Sequence, residues 1–161
     1  CAEKVPPRGE LIEADTALLD RARGLLAIVR AELDEQAFHK ALTSLWEVIA
    51  DANRYVDAQA PWALAKTDPV RGDTVLWVLA ETIRRVTLLV QPFMPDATAR
   101  ILDQLAIAPE KRVYAAFDEE LLPGTALPPP QGVFPRFVEP TAAAAAPAKP
   151  PKQPKAPKAA G

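Results

Sequence analysis

Apolar residues recur along most of this chain at three- and four-residue intervals, the mark of helices with one buried face. Leu18, Leu19, Ala22, Leu25, Leu26, Val29 and Leu33 form the first stripe and predict a helix over roughly residues 13–32. Asp15 or Asp20 lies near its start, where the helix dipole favours an acid. Asp34 is the expected N-cap of a second helix. Its buried face should hold Phe38, Ala41, Leu42, Leu45, Trp46 and Ile49, reaching Ala52 and Val56. His39, Lys40, Glu47, Asp51 and Arg54 fall mostly on the opposite side. The short link at 33–35 predicts that the two helices pack antiparallel.

Residues 52–66 (ANRYVDAQAPWALAK) interrupt this rhythm. Pro61 has no N–H to donate and drives Ala60 out of the helical region, so the helix carrying Asn53 and Tyr55 must end there. Proline suits the first position of a new helix, so a short helical turn should begin at Pro61-Trp62. The corner is therefore rigid, with an indole beside it. Asp68-Pro69 repeats the start signal. A helix to about residue 90 follows, with Val75, Leu76, Leu79, Ile83, Val86, Leu89 and Val90 apolar. Its many β-branched residues raise a strand as the alternative, but the spacing of Glu81, Arg84 and Arg85 fits a period of 3.6. Arg84-Arg85 reads as a solvated face, and Trp46 and Trp77 as core. Pro92 and Pro95 break the chain again before Ile101, Leu102 and Leu105.

The expected fold is all-α, an antiparallel helical bundle. Its domain spans residues 1–139, with core helices over about 13–106 and a strap over 107–139. Within the strap, residues 113–122 make a short helix or irregular segment, and VFPRFV (133–138) docks extended on the bundle. Residues 140–161, rich in Ala, Pro and Lys, have nothing with which to build a core and read as a disordered cationic tail.

Charge sharpens the choice of partners. The formal net charge is −2, yet the lysines at 149, 152, 155 and 158 face no acid after residue 140, so residues 1–140 hold −6 (−2 less +4). An acidic body does not suit non-specific duplex binding, so DNA is not an expected partner. No run of about 18 uncharged apolar residues and no signal peptide is present, so no membrane partner is expected either. With Cys1 as the single cysteine there is no disulfide framework, which fits a cytoplasmic location. A chain that starts with Cys1 and has its one methionine at Met94 is expected to be a piece of a longer protein.

Catalytic chemistry is hard to assemble from these residues. His39 is the single histidine, so no zinc site can be built around paired ligands. The six glycines form no phosphate-cradling motif. The acidic pairs Asp34-Glu35 and Glu119-Glu120 sit where solvation or a helix dipole explains them. No catalytic residue and no metal ligand is therefore assigned in this chain, and no cofactor is expected to bind it.

The segment SLWEVIADANRYVDAQAPWALAK (44–66) resembles the anticodon-binding domain of bacterial methionyl-tRNA synthetase, a class I enzyme. FHKAL (38–42), LVQPFMP (89–95) and GVFPR (132–136) are similar to other parts of that domain, in the same order. The likeness covers roughly residues 1–139. It implies a helical bundle that reads the CAU anticodon, in an enzyme that uses ATP to attach methionine to its tRNA. The implied partners are the tRNA(Met) anticodon loop and the enzyme's own catalytic domain. ATP, and zinc, would belong to that catalytic domain, whose HIGH, KMSKS and zinc-knuckle signatures are absent here.

Carried over to this chain, the resemblance makes Pro61 and Trp62 the anticodon-binding pair, the indole stacking on a base. Arg54, Lys66 and Asn53 are further candidates for tRNA contact. The family's asparagine–arginine pair on a preceding helix has no counterpart here. Each residue has a structural alternative: Trp62 as a core staple, Asn53 bonded to the corner backbone, Arg54 on a solvated face, Lys66 at a helix end, Tyr55 as core with its hydroxyl bonded. At the level of function the alternatives are another class I synthetase, or a helical protein-interaction module that buries Trp62.

Overall fold

The computed structural model describes residues 4–134. Five α-helices follow in order: α1 (Glu13–Asp34), α2 (Phe38–Gln59), α3 (Pro61–Thr67), α4 (Pro69–Val90) and α5 (Pro95–Gln104). Two 3-10 turns follow, Pro109–Lys111 and Tyr114–Ala116. The expected helix for Val75–Val90, rather than a strand, is what α4 forms. No helix among the described residues is long and apolar enough to cross a membrane.

Asp15 near the start of α1 meets Tyr55 near the end of α2, and Glu32 meets Lys40 at the other end, so the two helices run antiparallel. α4 packs on both, and α5 on α4. The core is Leu18, Ala22, Leu25 and Val29 of α1 with Ala41, Leu45 and Val48 of α2 and Val75, Trp77, Val78, Leu88 and Leu89 of α4. Leu102 of α5 closes it.

Helix ends are where the structure departs from expectation. Asp34 is the last residue of α1 and does not cap α2, which starts at Phe38 without a side-chain cap. Gln36 turns left-handed (φ 57°), and the Ala37 amide donates to Glu32 O at 2.7 Å while the Gln36 amide donates to Leu33 O at 2.9 Å. These paired bonds satisfy the last carbonyls of α1 in place of a glycine-terminated turn. Ala106 (φ 55°) ends α5 in the same way.

The bundle also covers less of α2 than periodicity implies. Trp46 is 50% exposed and Phe38 is exposed too, so neither is core. The buried row runs Ala41, Leu45, Val48, Tyr55, and Trp46 sits about 100° round the helix from Leu45. Leu76 and Ile83 of α4 are likewise exposed.

Arg84 and Arg85 reverse the expectation in the other direction: they are 3% and 1% exposed. Buried Glu81 accepts from Arg84 Nη2 and Arg85 Nε, each at 2.6 Å, and from the Leu121 amide at 3.0 Å. Arg84 also donates to the carbonyls of Ala116, Phe117 and Glu119. Trp77 Nε1 donates to Leu121 O at 3.2 Å. The irregular strap after α5 is thus tied to α4 by charge as well as by the buried Phe117 and Leu121. The lead-in before α1 is fastened to the same strap: Val5 is buried and exchanges backbone bonds with Thr125 and Gly124, each at 2.8 Å. Gly124, at φ 80°, makes that turn where other residues are strained. Of the VFPRFV segment, Phe134 is exposed rather than docked, and the remainder from residue 135, with the tail, lies outside the described residues.

Candidate nucleic-acid interface

The corner between α2 and α3 is built from three consecutive residues. Ala60 ends α2 in the left-handed region (φ 43°, ψ 61°), its amide donating to Val56 O at 2.9 Å. Pro61 takes the first position of α3, and the amides of Ala63 and Leu64 both return to Ala60 O. Trp62 follows, 61% exposed, so it is not a core staple. α3 is short and has no fully buried side chain. Its far end is closed by Asp68, which caps α4 by accepting from the Arg71 amide at 3.1 Å. Leu64 rests against Gly72 of α4, where an added Cβ would stand 3.4 Å from the Leu64 Cβ.

Beneath the corner lies a polar knot that joins three helices. Asp15 of α1 is wholly buried and accepts from Tyr55 Oη at 2.6 Å, from Arg71 Nη1 and Nη2 at 2.6 and 2.7 Å, and from the Ile12 amide at 3.0 Å. Arg71 Nη2 also donates to Gln59 Oε1 at 2.7 Å, one residue before Ala60. Burial by itself pushes the Asp15 carboxyl up. Hydrogen bonds from Arg71, Tyr55 and the Ile12 amide, together with the Arg71 charge, outweigh it and hold the carboxyl below its ordinary value. Desolvation and the bond to Asp15 raise the Tyr55 hydroxyl well above the usual phenol range, so it stays neutral. Its bond to Asp15 likewise raises Arg71, which remains a cation.

The other candidate residues are arranged around this frame. Tyr55 is core with its hydroxyl bonded, as read from the sequence. Asn53 is exposed, and among the described residues its side chain makes no hydrogen bond to the corner backbone. Arg54 is exposed and pairs with Asp51, which Arg21 of α1 also holds at 2.7 Å. It borders a groove of about 340 Å³ between α1 and α2 that Tyr55 and Gln59 also line, and that Trp62 and Lys66 do not. Lys66 is exposed in the last turn of α3. Asp15, Gln59 and Arg71 are the residues that sequence reasoning missed. The one hint was the acid in the first turn of α1, because the partners lie 40 to 56 positions apart.

Comparison with known proteins agrees with this picture. The family model described as the anticodon binding domain of methionyl tRNA ligase matches residues 5–145. A methionine–tRNA ligase of Mesorhizobium japonicum is 50% identical over 147 residues, covering 90% of this chain and 28% of that protein. The corresponding ligase of Mycobacterium tuberculosis is 48% identical over 141 residues, 85% of this chain and 27% of that protein. The crystal structure of the apo form of the Mycobacterium tuberculosis synthetase superposes with a TM-score of 0.83 at 48% identity, over 86% of this chain and 29% of that one. This chain therefore spans little more than a quarter of the length of these relatives. The match at this extent and identity decides between the synthetase families, and the chain belongs to the anticodon-binding domains of methionyl-tRNA ligases.

Proposed function

We propose that this domain reads the anticodon loop of tRNA(Met) within a cytoplasmic methionine–tRNA ligase, an enzyme that attaches methionine to tRNA at the expense of ATP. The observation that carries the reading is a 61% exposed indole on a corner held from several sides. Single-stranded loops are where proteins read RNA, because splayed bases expose both face and edge. A base laid on an aromatic ring gains about 1–3 kcal/mol. Pro61, the left-handed Ala60 and the knot below restrict Trp62 before RNA arrives, so little ordering entropy is lost on binding.

Stacking alone accepts any base, since each has a π-face. Selection of CAU therefore needs polar groups at the base edges. Asn53 is the candidate for such a contact within this chain, with Arg54 and Lys66 toward phosphates. The catalytic domain, with ATP and zinc, is the other partner on this reading and lies outside the chain. Among the described residues no cluster of His, Cys, Asp or Glu is arranged to hold a metal, and no step is assigned to one here.

A fluorescence titration with a CAU stem-loop tests the proposal. Trp62→Ala should weaken binding about 5- to 150-fold, the equivalent of 1–3 kcal/mol, with helicity intact. Added salt should weaken binding without reversing the preference for CAU. Undiminished binding by Trp62→Ala, or equal affinity for a loop of unrelated sequence, would defeat it.

A further inference from the structure

We infer that Arg71, acting with Asp15 and Gln59, is a positioning residue that sets the direction in which Trp62 faces a base; this rests on the anticodon reading above. The reason lies in how α3 is held. It has no fully buried side chain, and Leu64 is its one residue packed against the core, so packing leaves it fewer holds than the other helices have. The excursion leaves α2 after Gln59 and rejoins the bundle at Arg71, and the 2.7 Å bond between these two side chains closes it at its base. The Arg71 amide is also bound to Asp68, at the far end of α3. One residue therefore grips both ends of the segment that carries Trp62.

Asp15 anchors that grip to α1. Its two oxygens receive the guanidinium fork at 2.6 and 2.7 Å, which fixes the plane of Arg71 as well as its place. Arg71 is spent on this carboxylate and on Gln59, so its role is exerted on the shape of the corner and not on a phosphate. Lysine retains the charge but has no planar fork, and so cannot hold Asp15 and Gln59 in the same geometry.

The chain has three tryptophans, so incorporation of 5-fluorotryptophan yields three fluorine resonances, assigned by single Trp→Phe changes. Arg71→Lys and Gln59→Met are the test variants. Each should shift or broaden the Trp62 resonance, leave those of Trp46 and Trp77 in place, and keep the far-UV spectrum. Preference for a CAU stem-loop over a scrambled loop should drop about tenfold, with affinity for the scrambled loop unchanged. The inference is overturned if the Trp62 resonance and the preference both survive in Gln59→Met. It is equally overturned if all three resonances move together as helicity falls, which would mark a role in general stability. Should the wild-type chain show no CAU preference, the anticodon reading fails by itself, and the Trp62 resonance still decides whether Arg71 positions the ring.

Discussion

Asp15 is a carboxylate with no access to water, and every contact it makes favours its charged form. Its pKa is lower in the folded chain than the ordinary 3.8, so its contribution is complete above that value and disappears as pH falls through the lower, folded one. Tyr55 works in the opposite sense. Its hydroxyl is raised when folded, so its contribution is complete below 10.0 and is lost progressively above it. Asp15→Asn should lower stability at pH 7 by about 1–3 kcal/mol, since it leaves part of a buried network unsatisfied. It should also flatten the fall in stability below pH 4, which denaturant titrations at pH 7 and pH 3 would reveal. An acid limb as steep as that of the wild type would mean that other carboxylates govern it.

α4 shows what a single helix can carry. One side buries Val75 and Val78 in the bundle, while Arg84 holds the strap through its carbonyls, Glu81 through the Leu121 amide and Arg85 through the Phe117 ring. The arrangement is one acid between two bases, with the Arg85 guanidinium 5.3 Å from the centre of the Phe117 ring. Glu81→Leu would leave two buried cations without their counter-charge and should cost about 3–5 kcal/mol. Urea denaturation checks this, and hydrogen exchange should show amides at Phe117–Leu121 losing protection before those of α1 and α2. A loss under 1 kcal/mol would mean that the strap is held by its apolar residues alone.

Across the whole molecule, the core lies to one side of the apolar surface that the helices offer. Trp77 is enclosed and Trp46 is half exposed, although both occupy apolar helical positions. Trp77→Ala should therefore cost about 3–5 kcal/mol. Trp46→Lys, in contrast, should stay within about 0.5 kcal/mol of the parent chain. Thermal unfolding of the two variants side by side would settle which indole is core, and comparable losses would refute the burial pattern.

The amino-acid order alone determined the helices, the breaks at Pro61, Pro69 and Pro95, the Asp68 cap and the corner that carries Trp62, whose exposure the fold then decided. Each depends on residues within a turn or two of one another, where backbone sterics and periodicity act. It also carried the family likeness, because the APW corner and its flanking segments keep their order along the chain. Tertiary packing alone decided which apolar faces were covered, since periodicity marks a stripe but not the neighbour that lies on it. It turned Arg84-Arg85 inward, because the strap carbonyls that receive Arg84 come from more than 30 residues away. It placed left-handed turns on Gln36, Ala60 and Ala106, where no glycine announces them. And it joined Asp15, Tyr55, Gln59 and Arg71 at the base of the corner, a polar network that only the crossing of three helices brings about.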